Sequence, residues 1–96
     1  MKTSFVFIDP ISTEKLYIQM VFSFYDNGQL RIDLWESGMP FLMLTTEVPV
    51  ELKQNELVID QCKHVIMDTM VQEKIINPPH HSFDAQGTLF FVTTMV

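Results

Sequence analysis

The sequence predicts an α+β fold, an antiparallel sheet of four to five strands with one helix packed across it in the order β-β-β-β-α-β. Apolar and polar residues alternate in several short segments of the first half of the chain, as they do in half-buried strands. Glycine and proline residues separate these segments. A single stretch, residues 62–74, has apolar residues at helical spacing instead. Because 96 residues suit one domain, we expect residues 1–96 to form a single α+β domain.

The first three predicted strands lie at residues 3–8, 15–25 and 29–35. The first ends at Asp9-Pro10, because proline has no backbone N–H to donate to a neighbouring strand. The second and third carry apolar residues at their even positions: Leu16, Ile18, Met20, Phe22, Phe24, Leu30, Ile32 and Leu34. One face of this strand pair is therefore expected to lie against the core.

The Asp-Asn-Gly sequence at residues 26–28 indicates a β-hairpin between the second and third strands. A two-residue loop would place Phe24 opposite Arg31 and mix apolar and charged side chains on each face. A three-residue loop, with Gly28 in the left-handed backbone conformation, places Phe24 opposite Leu30 and keeps the two faces distinct. We predict the three-residue loop.

The middle of the chain contains the fourth strand and the approach to the helix. Residues 41–48 begin with a run that is apolar on both sides, which predicts an interior strand ending at Pro49. Residues 57–59 form either a short strand or the segment that leads into the helix. The helix at residues 62–74 follows Asp60, whose side chain is suited to cap it.

Two apolar surfaces complete the predicted core. The helix has an apolar face that comprises Ile66, Met67, Met70 and Val71. Residues 88–96 predict a final strand that is apolar on both sides. Because such a strand is a hazard at a bare sheet edge, it is either central in the sheet or paired with a second copy of the chain.

The other face of the predicted hairpin is unusual because it carries Tyr17, Tyr25 and Trp35 among small polar groups. Either a loop, a terminus or a second copy covers these rings, or they bind a partner protein. Tyrosine and tryptophan supply much of the energy in protein interfaces. We therefore predict a partner-binding surface that comprises Tyr17, Tyr25, Asp33, Trp35 and Glu36.

The charge balance restricts the class of partner. Twelve Asp and Glu residues against six Lys and Arg residues give a formal charge of −6. Seven of the acidic residues, but only two basic ones, fall between residues 26 and 60. This balance opposes direct nucleic-acid binding, which needs clustered cations to neutralise phosphates. It either favours a partner protein with a basic surface or serves solubility alone.

Candidate metal ligands and nucleophiles are few. Cys62, His64, His80 and His81 are the available soft ligands, and their spacing matches no compact zinc site. We predict no metal and no cofactor, with Cys62 as a small core residue and His80-His81 in a surface loop. The same spacing offers no nucleophile with an adjacent base, so an enzyme is the least favoured alternative.

The sequence also indicates a compartment. A single cysteine excludes an internal disulfide and suits a reducing environment. No apolar stretch approaches the ~20 residues that span a bilayer, and the apolar residues 5–8 end at Asp9-Pro10 rather than in a secretion signal. We therefore expect a cytoplasmic protein without a membrane segment.

Four segments occur in a recognisable order: residues 25–32 (YDNGQLRI), 38–41 (GMPF), 44–46 (LTT) and, at the end of the helix, 74–76 (KII). In this order they resemble small uncharacterised accessory proteins of bacterial plasmids, phages and integrated elements. The resemblance covers roughly residues 16–96. It implies an accessory protein with no established catalytic residues. Small acidic proteins of this setting include anti-CRISPR and anti-restriction proteins, which block nucleases by occupying their nucleic-acid channel.

Two functional hypotheses follow from these observations. The first is a non-enzymatic protein-binding accessory protein of a phage or mobile element, an anti-CRISPR-like inhibitor that occupies a basic surface of a host defence protein. The alternative is a self-associating structural subunit, a homodimer without an inhibitory role.

Overall fold

The computed structural model describes residues 2–96 and has an α+β fold, as predicted. The strands are β1 (Ser4–Ile8), β2 (Lys15–Phe24), β3 (Leu30–Glu36), β4 (Met39–Met43), β5 (Glu56–Asp60), β6 (His81–Ala85) and β7 (Thr88–Thr94). The helix α1 (His64–Gln72) follows a 3-10 turn (Gln61–Lys63).

The strands form two antiparallel sheets instead of one. The first sheet is a meander with the strand order β1-β2-β3-β4, and the second sheet has the order β5-β7-β6. The second sheet contains a strand, β6, that the sequence pattern does not predict. All its residues except Phe83 are exposed, so it lacks the apolar alternation of a core strand. The prediction of a loop at His80-His81 is therefore wrong for His81, which begins β6.

The β2–β3 hairpin has the predicted three-residue loop. Phe24 pairs with Leu30, Met20 pairs with Leu34, and Gly28 has a φ of 87°. The prediction that every even position of β2 lies in the core is wrong at one end, because the Phe24 side chain is 73% exposed. The hairpin extends beyond the elements that cover its inner face.

The fourth strand of the structure, at residues 39–43, is shorter than the predicted strand at residues 41–48 and begins earlier in the chain. Strand β4 is at the edge of the first sheet, where Phe41 and Met43 are 41% and 42% exposed, so the prediction of an interior strand at residues 41–48 is wrong. Residues 44–46, the crossing segment, then leave the first sheet for the second. The Leu44 amide donates to the Ile32 carbonyl oxygen at 3.0 Å, and the Thr46 amide donates to the Val58 carbonyl oxygen at 2.9 Å. The crossing segment is therefore hydrogen-bonded to both sheets.

Helix α1 is shorter than residues 62–74 because a 3-10 turn precedes it. Asp60 has the predicted capping role, since its Oδ1 accepts a hydrogen bond of 2.8 Å from the Cys62 amide. Cys62 itself is exposed, so its prediction as a core residue is wrong. Helix α1 ends at Gln72. Lys74, two residues later, has a φ of 58°, and the next amide, of Ile75, donates to the Met70 carbonyl oxygen at 2.9 Å.

The main core lies between the inner face of the first sheet, strand β5 and helix α1. Its buried residues are Phe5, Phe7, Ile18, Met20, Ile32, Leu34, Leu44, Leu57, Ile59, Ile66, Met67, Met70, Ile75 and Ile76. A smaller core on the second sheet contains Val48, Val58 and Val92. Strand β7 is central in that sheet, as one of the two sequence alternatives requires, and β5 is a strand rather than only an approach to the helix.

Candidate protein-binding surface

The face of the first sheet that points away from helix α1 is here called the outer face. Successive residues of a strand point to opposite sides, so the residues between the buried positions of β2 and β3 form this face. Trp35 lies opposite Gln19, and Asp33 lies between Val21 on β2 and Met43 on β4.

The outer face is open to solvent in the described residues. Tyr17 on β2 is 70% exposed, Val21 is 43% exposed, and Met43 on β4 is 42% exposed. Trp35 is half-buried and lines a shallow groove of about 440 Å³ together with Phe41 and Met43. The structure therefore presents aromatic and apolar side chains on a continuous hydrogen-bonded sheet.

The charged groups at the centre of the outer face pair with each other. Arg31 Nε donates to Asp33 Oδ2 at 3.0 Å, and Arg31 Nη2 lies 3.4 Å from Asp33 Oδ1. The hydrogen bond and the charge of Asp33 raise the pKa of Arg31 above its ordinary value. The guanidinium also lies over the Tyr25 ring, 5.6 Å from the ring centroid. The centre of this face is consequently polar but close to neutral.

Four of the five predicted binding residues lie on this side of the molecule. Tyr17, Asp33 and Trp35 are outer-face residues, and Tyr25 follows β2 beneath Arg31. Glu36 is separated from them. It pairs with Ile18, which is buried in the main core, and its Oε1 accepts a hydrogen bond of 2.8 Å from Ser37 Oγ. Strand alternation places Glu36 on the inner side, because it is one residue beyond Trp35.

The outer face also contains Val21, Phe41 and Met43, which are not among the five predicted binding residues. The alternation of β2 already places Val21 beside Tyr17, so that signal was available. Phe41 and Met43 could not be assigned to a face, because the run that contains them is apolar at consecutive positions. Only the pairing of β4 with β3 places Met43 next to Asp33.

Asp33, which pairs with Arg31, is an acidic residue of the outer face, but Glu47 and Glu51 lie elsewhere. Glu47 Oε2 lies 3.4 Å from the Asn27 amide, at the turn end of the β2–β3 hairpin. Glu51 lies in the neighbouring loop, which lines a groove together with Asn27. The aromatic side chains of the outer face, Tyr17 and Trp35, are therefore separate from the carboxylates of Glu47 and Glu51.

The candidate metal ligands lie in separate environments. His80 Nε2 is 2.7 Å from Glu56 Oε2, whereas His64 Nδ1 is 3.1 Å from the Gln61 carbonyl oxygen. Hydrogen bonding to Asp60, together with partial burial, raises the pKa of the Cys62 thiol. Residues 2–96 contain no grouping of three or more His, Cys, Asp or Glu residues that could hold a metal ion. In the same residues, no helix has both the length and the apolar character needed to cross a membrane.

No protein-family model, curated protein or solved structure matches this chain.

Proposed function

We propose that this chain is a non-enzymatic protein-binding protein that contacts its partner through the outer face of the first sheet. The observation that carries the proposal is the exposure of Tyr17, Val21 and Met43 around Trp35 on that face. Exposed apolar patches of this kind mark interaction sites, and tryptophan and tyrosine contribute much of the binding energy in protein interfaces.

The rigidity of the outer face supports protein binding. Its side chains stand on an antiparallel sheet whose strands pair over five residues or more between β1 and β2 and over seven between β2 and β3. A surface already ordered before binding loses little conformational entropy in the complex. The Arg31–Asp33 pair at its centre supplies donors and acceptors that orient a partner.

The class of partner follows from charge and from the resemblance. With a net charge of −6, the chain is attracted to basic proteins and repelled by nucleic acids. The resemblance to accessory proteins of phages and plasmids favours a host defence protein as the target. We propose an anti-CRISPR-like inhibitor that occupies a basic surface of such a protein by contact alone.

The test compares variants that retain the fold. Trp35→Ala and Asp33→Asn alter the outer face, whereas Ile11→Ser alters a residue that is 94% exposed in the turn after β1. Protein captured by the wild-type chain from the native host is identified, purified and titrated by calorimetry. We expect Trp35→Ala to weaken binding by roughly thirtyfold, the size of an interface hot spot, and Ile11→Ser to leave it unchanged. Equal affinity of the wild type and both outer-face variants would contradict the proposal.

A self-associating homodimer is the second candidate function. Strand β4 favours it. This strand has no charged residue and forms one edge of the first sheet, and its residue Met39 is 69% exposed. An uncharged apolar edge invites pairing with another strand. Strand β7 is excluded as the interface, since both its edges pair within the chain. Sedimentation velocity separates the candidates: a dimer that Met39→Lys dissociates and Ile11→Ser does not supports self-association through β4.

A further inference from the structure

A second surface, the tip groove, lies at the turn end of the β2–β3 hairpin. It has a volume of about 700 Å³ and runs between residues 27–30 and the loop at residues 48–56. Its apolar lining consists of Phe24, Leu30, Val48, Val50 and Leu52. Phe24 belongs to the even positions of β2, on the side opposite Tyr17 and Trp35. The tip groove is therefore separate from the outer face.

The side chain of Gln29 holds the two walls of the tip groove together. Its Nε2 donates to the carbonyl oxygens of Val48 and Val50 at 3.0 Å and 2.8 Å. Its Oε1 accepts a hydrogen bond of 3.0 Å from the Val48 amide. Asn27 Nδ2 adds a longer contact of 3.4 Å to the Val48 carbonyl oxygen. The loop is fixed against the hairpin, so the groove exists before any ligand binds.

Two apolar side chains of the tip groove remain open to solvent. Phe24 is 73% exposed and Val50 is 46% exposed, although both line the groove. Covering a phenylalanine ring removes a large apolar area from water and stabilises the covered state. The groove thus offers a site for one apolar side chain of a ligand.

The charge around the tip groove is negative. Asp26 and Glu51 make no ion pair or hydrogen bond within residues 2–96, and Glu47 contacts only the Asn27 amide there. Lys53 is the one cation among the groove residues. Glu56 is already engaged, since it accepts a hydrogen bond of 2.6 Å from the Lys53 amide and lies 2.7 Å from His80. Glu51 and Glu56 line the groove, and Asp26 and Glu47 are sequence neighbours of its lining residues Asn27 and Val48, so that carboxylates outnumber the one cation, Lys53.

We propose that the tip groove binds a basic peptide segment, whose apolar side chain covers Phe24 and Val50 while its lysine or arginine side chains face Asp26, Glu47 and Glu51. Charge complementarity selects a cationic segment, and the exposed ring selects one with an apolar residue among the cations. This goes beyond the proposed function, because the tip groove and the outer face share no residue. Binding at one surface can therefore fail while binding at the other persists.

The experiment uses the whole chain labelled with ¹⁵N and a synthetic probe, acetyl-Lys-Lys-Phe-Lys-Lys-amide. We expect chemical-shift changes at residues 24–30 and 48–56, with an affinity that falls several-fold when NaCl is raised from about 50 to about 300 mM. The control peptide acetyl-Glu-Glu-Phe-Glu-Glu-amide should produce no such changes. Phe24→Ala should weaken binding of the basic peptide by about three- to tenfold, since it removes the covered ring.

Two further variants keep the test decisive. Glu51→Gln should weaken binding in low salt even if Phe24→Ala fails to fold, and Trp35→Ala should leave binding at the tip groove unchanged. The proposal is overturned if the basic peptide, at a concentration of about 5 mM, shifts no resonances. A dissociation constant above that concentration means negligible affinity. It is also overturned if the shifts fall on the outer face, or if the acidic peptide produces the same pattern.

Discussion

The Tyr25 hydroxyl donates a hydrogen bond of 2.6 Å to the Thr45 carbonyl oxygen. Thr45 is 1% exposed, and its Oγ1 accepts a hydrogen bond of 3.0 Å from the Ile32 amide. Tyr25 therefore connects the end of β2 with the crossing segment, where the chain leaves the first sheet. A residue that the sequence predicts for partner binding also stabilises the fold.

Removal of these hydrogen bonds should destabilise the protein in a graded manner. We expect Tyr25→Phe to lower the free energy of unfolding by about 1 kcal/mol, because the Thr45 carbonyl loses its donor. Thr45→Val should lower it by roughly 1–3 kcal/mol, because the buried Ile32 amide loses its acceptor. Urea unfolding measures both values. Tyr17→Phe is the control, since the Tyr17 hydroxyl has no partner within residues 2–96; equal effects of the two tyrosine variants would contradict this role of Tyr25.

Lys74→Gly should stabilise the protein. Lys74, two residues after the helix, has a φ of 58°, a left-handed conformation that costs a side chain with a Cβ atom roughly 1 kcal/mol and costs glycine almost nothing. We expect the free energy of unfolding to rise by about 0.5–1 kcal/mol, seen as a melting temperature a few degrees higher. Gln72→Gly, within the helix, should have the opposite effect. A decrease in stability for Lys74→Gly would show that interactions of the lysine side chain stabilise the protein by more than the left-handed backbone conformation costs.

Glu56 should make stability depend on pH in the acidic range. The Lys53 amide and His80 both hydrogen-bond to Glu56 and hold the pKa of its carboxyl below the ordinary value. Such a group stabilises the fold fully above its unfolded pKa, about 4.3, and the contribution is lost as the pH falls through the lower folded pKa.

Thermal unfolding followed by circular dichroism between about pH 6 and about pH 3 tests this dependence. Glu56→Gln should lose less stability over this range than the wild type does, because its amide does not titrate. Glu51→Gln should retain the wild-type slope, since Glu51 has no hydrogen-bond partner within residues 2–96. Parallel curves for Glu56→Gln and the wild type would refute the assignment.

Asp60 should control both the start of the helix and the reactivity of Cys62. Asp60→Ala should lower the free energy of unfolding by about 1 kcal/mol, because the Cys62 amide loses its cap. Asp60→Asn retains a capping oxygen but removes the charge that helps to raise the pKa of the Cys62 thiol. Iodoacetamide should then alkylate Cys62 faster at pH 8 than it does in the wild type, because a larger fraction of the thiol is ionised. Cys62 alkylation at the wild-type rate would contradict this influence of Asp60.

The sequence predicts the strands of the first sheet better than it predicts the rest of the fold. Alternation in β2 and β3 determines their register, because a slip of one residue would expose Ile18 and Leu34. Strand β6 has no comparable signal, since only Phe83 among its residues packs inward. It exists because Gln86 and Gly87, both with positive φ, turn the chain back into β7.

The candidate surface is predictable only where strand alternation is clear. Tyr17, Asp33 and Trp35 occupy odd positions of two predicted strands, and the structure places them on one face. Glu36 also belongs to the predicted surface, but it is one residue beyond Trp35, and strand alternation turns it inward. The placement of Glu51 away from Tyr17 and Trp35 depends on how the loop at residues 48–56 packs on the hairpin, a tertiary contact with no local sequence pattern.

The crossing segment couples the unfolding of the two sheets. Its amides at Leu44 and Thr46 are bonded to different sheets, so freeing these three residues disrupts both sheets in the same event. We therefore expect the two halves to unfold together and not one after the other. Their slowest-exchanging amide protons should share a single opening free energy, and a protease should find no half-unfolded species to cut.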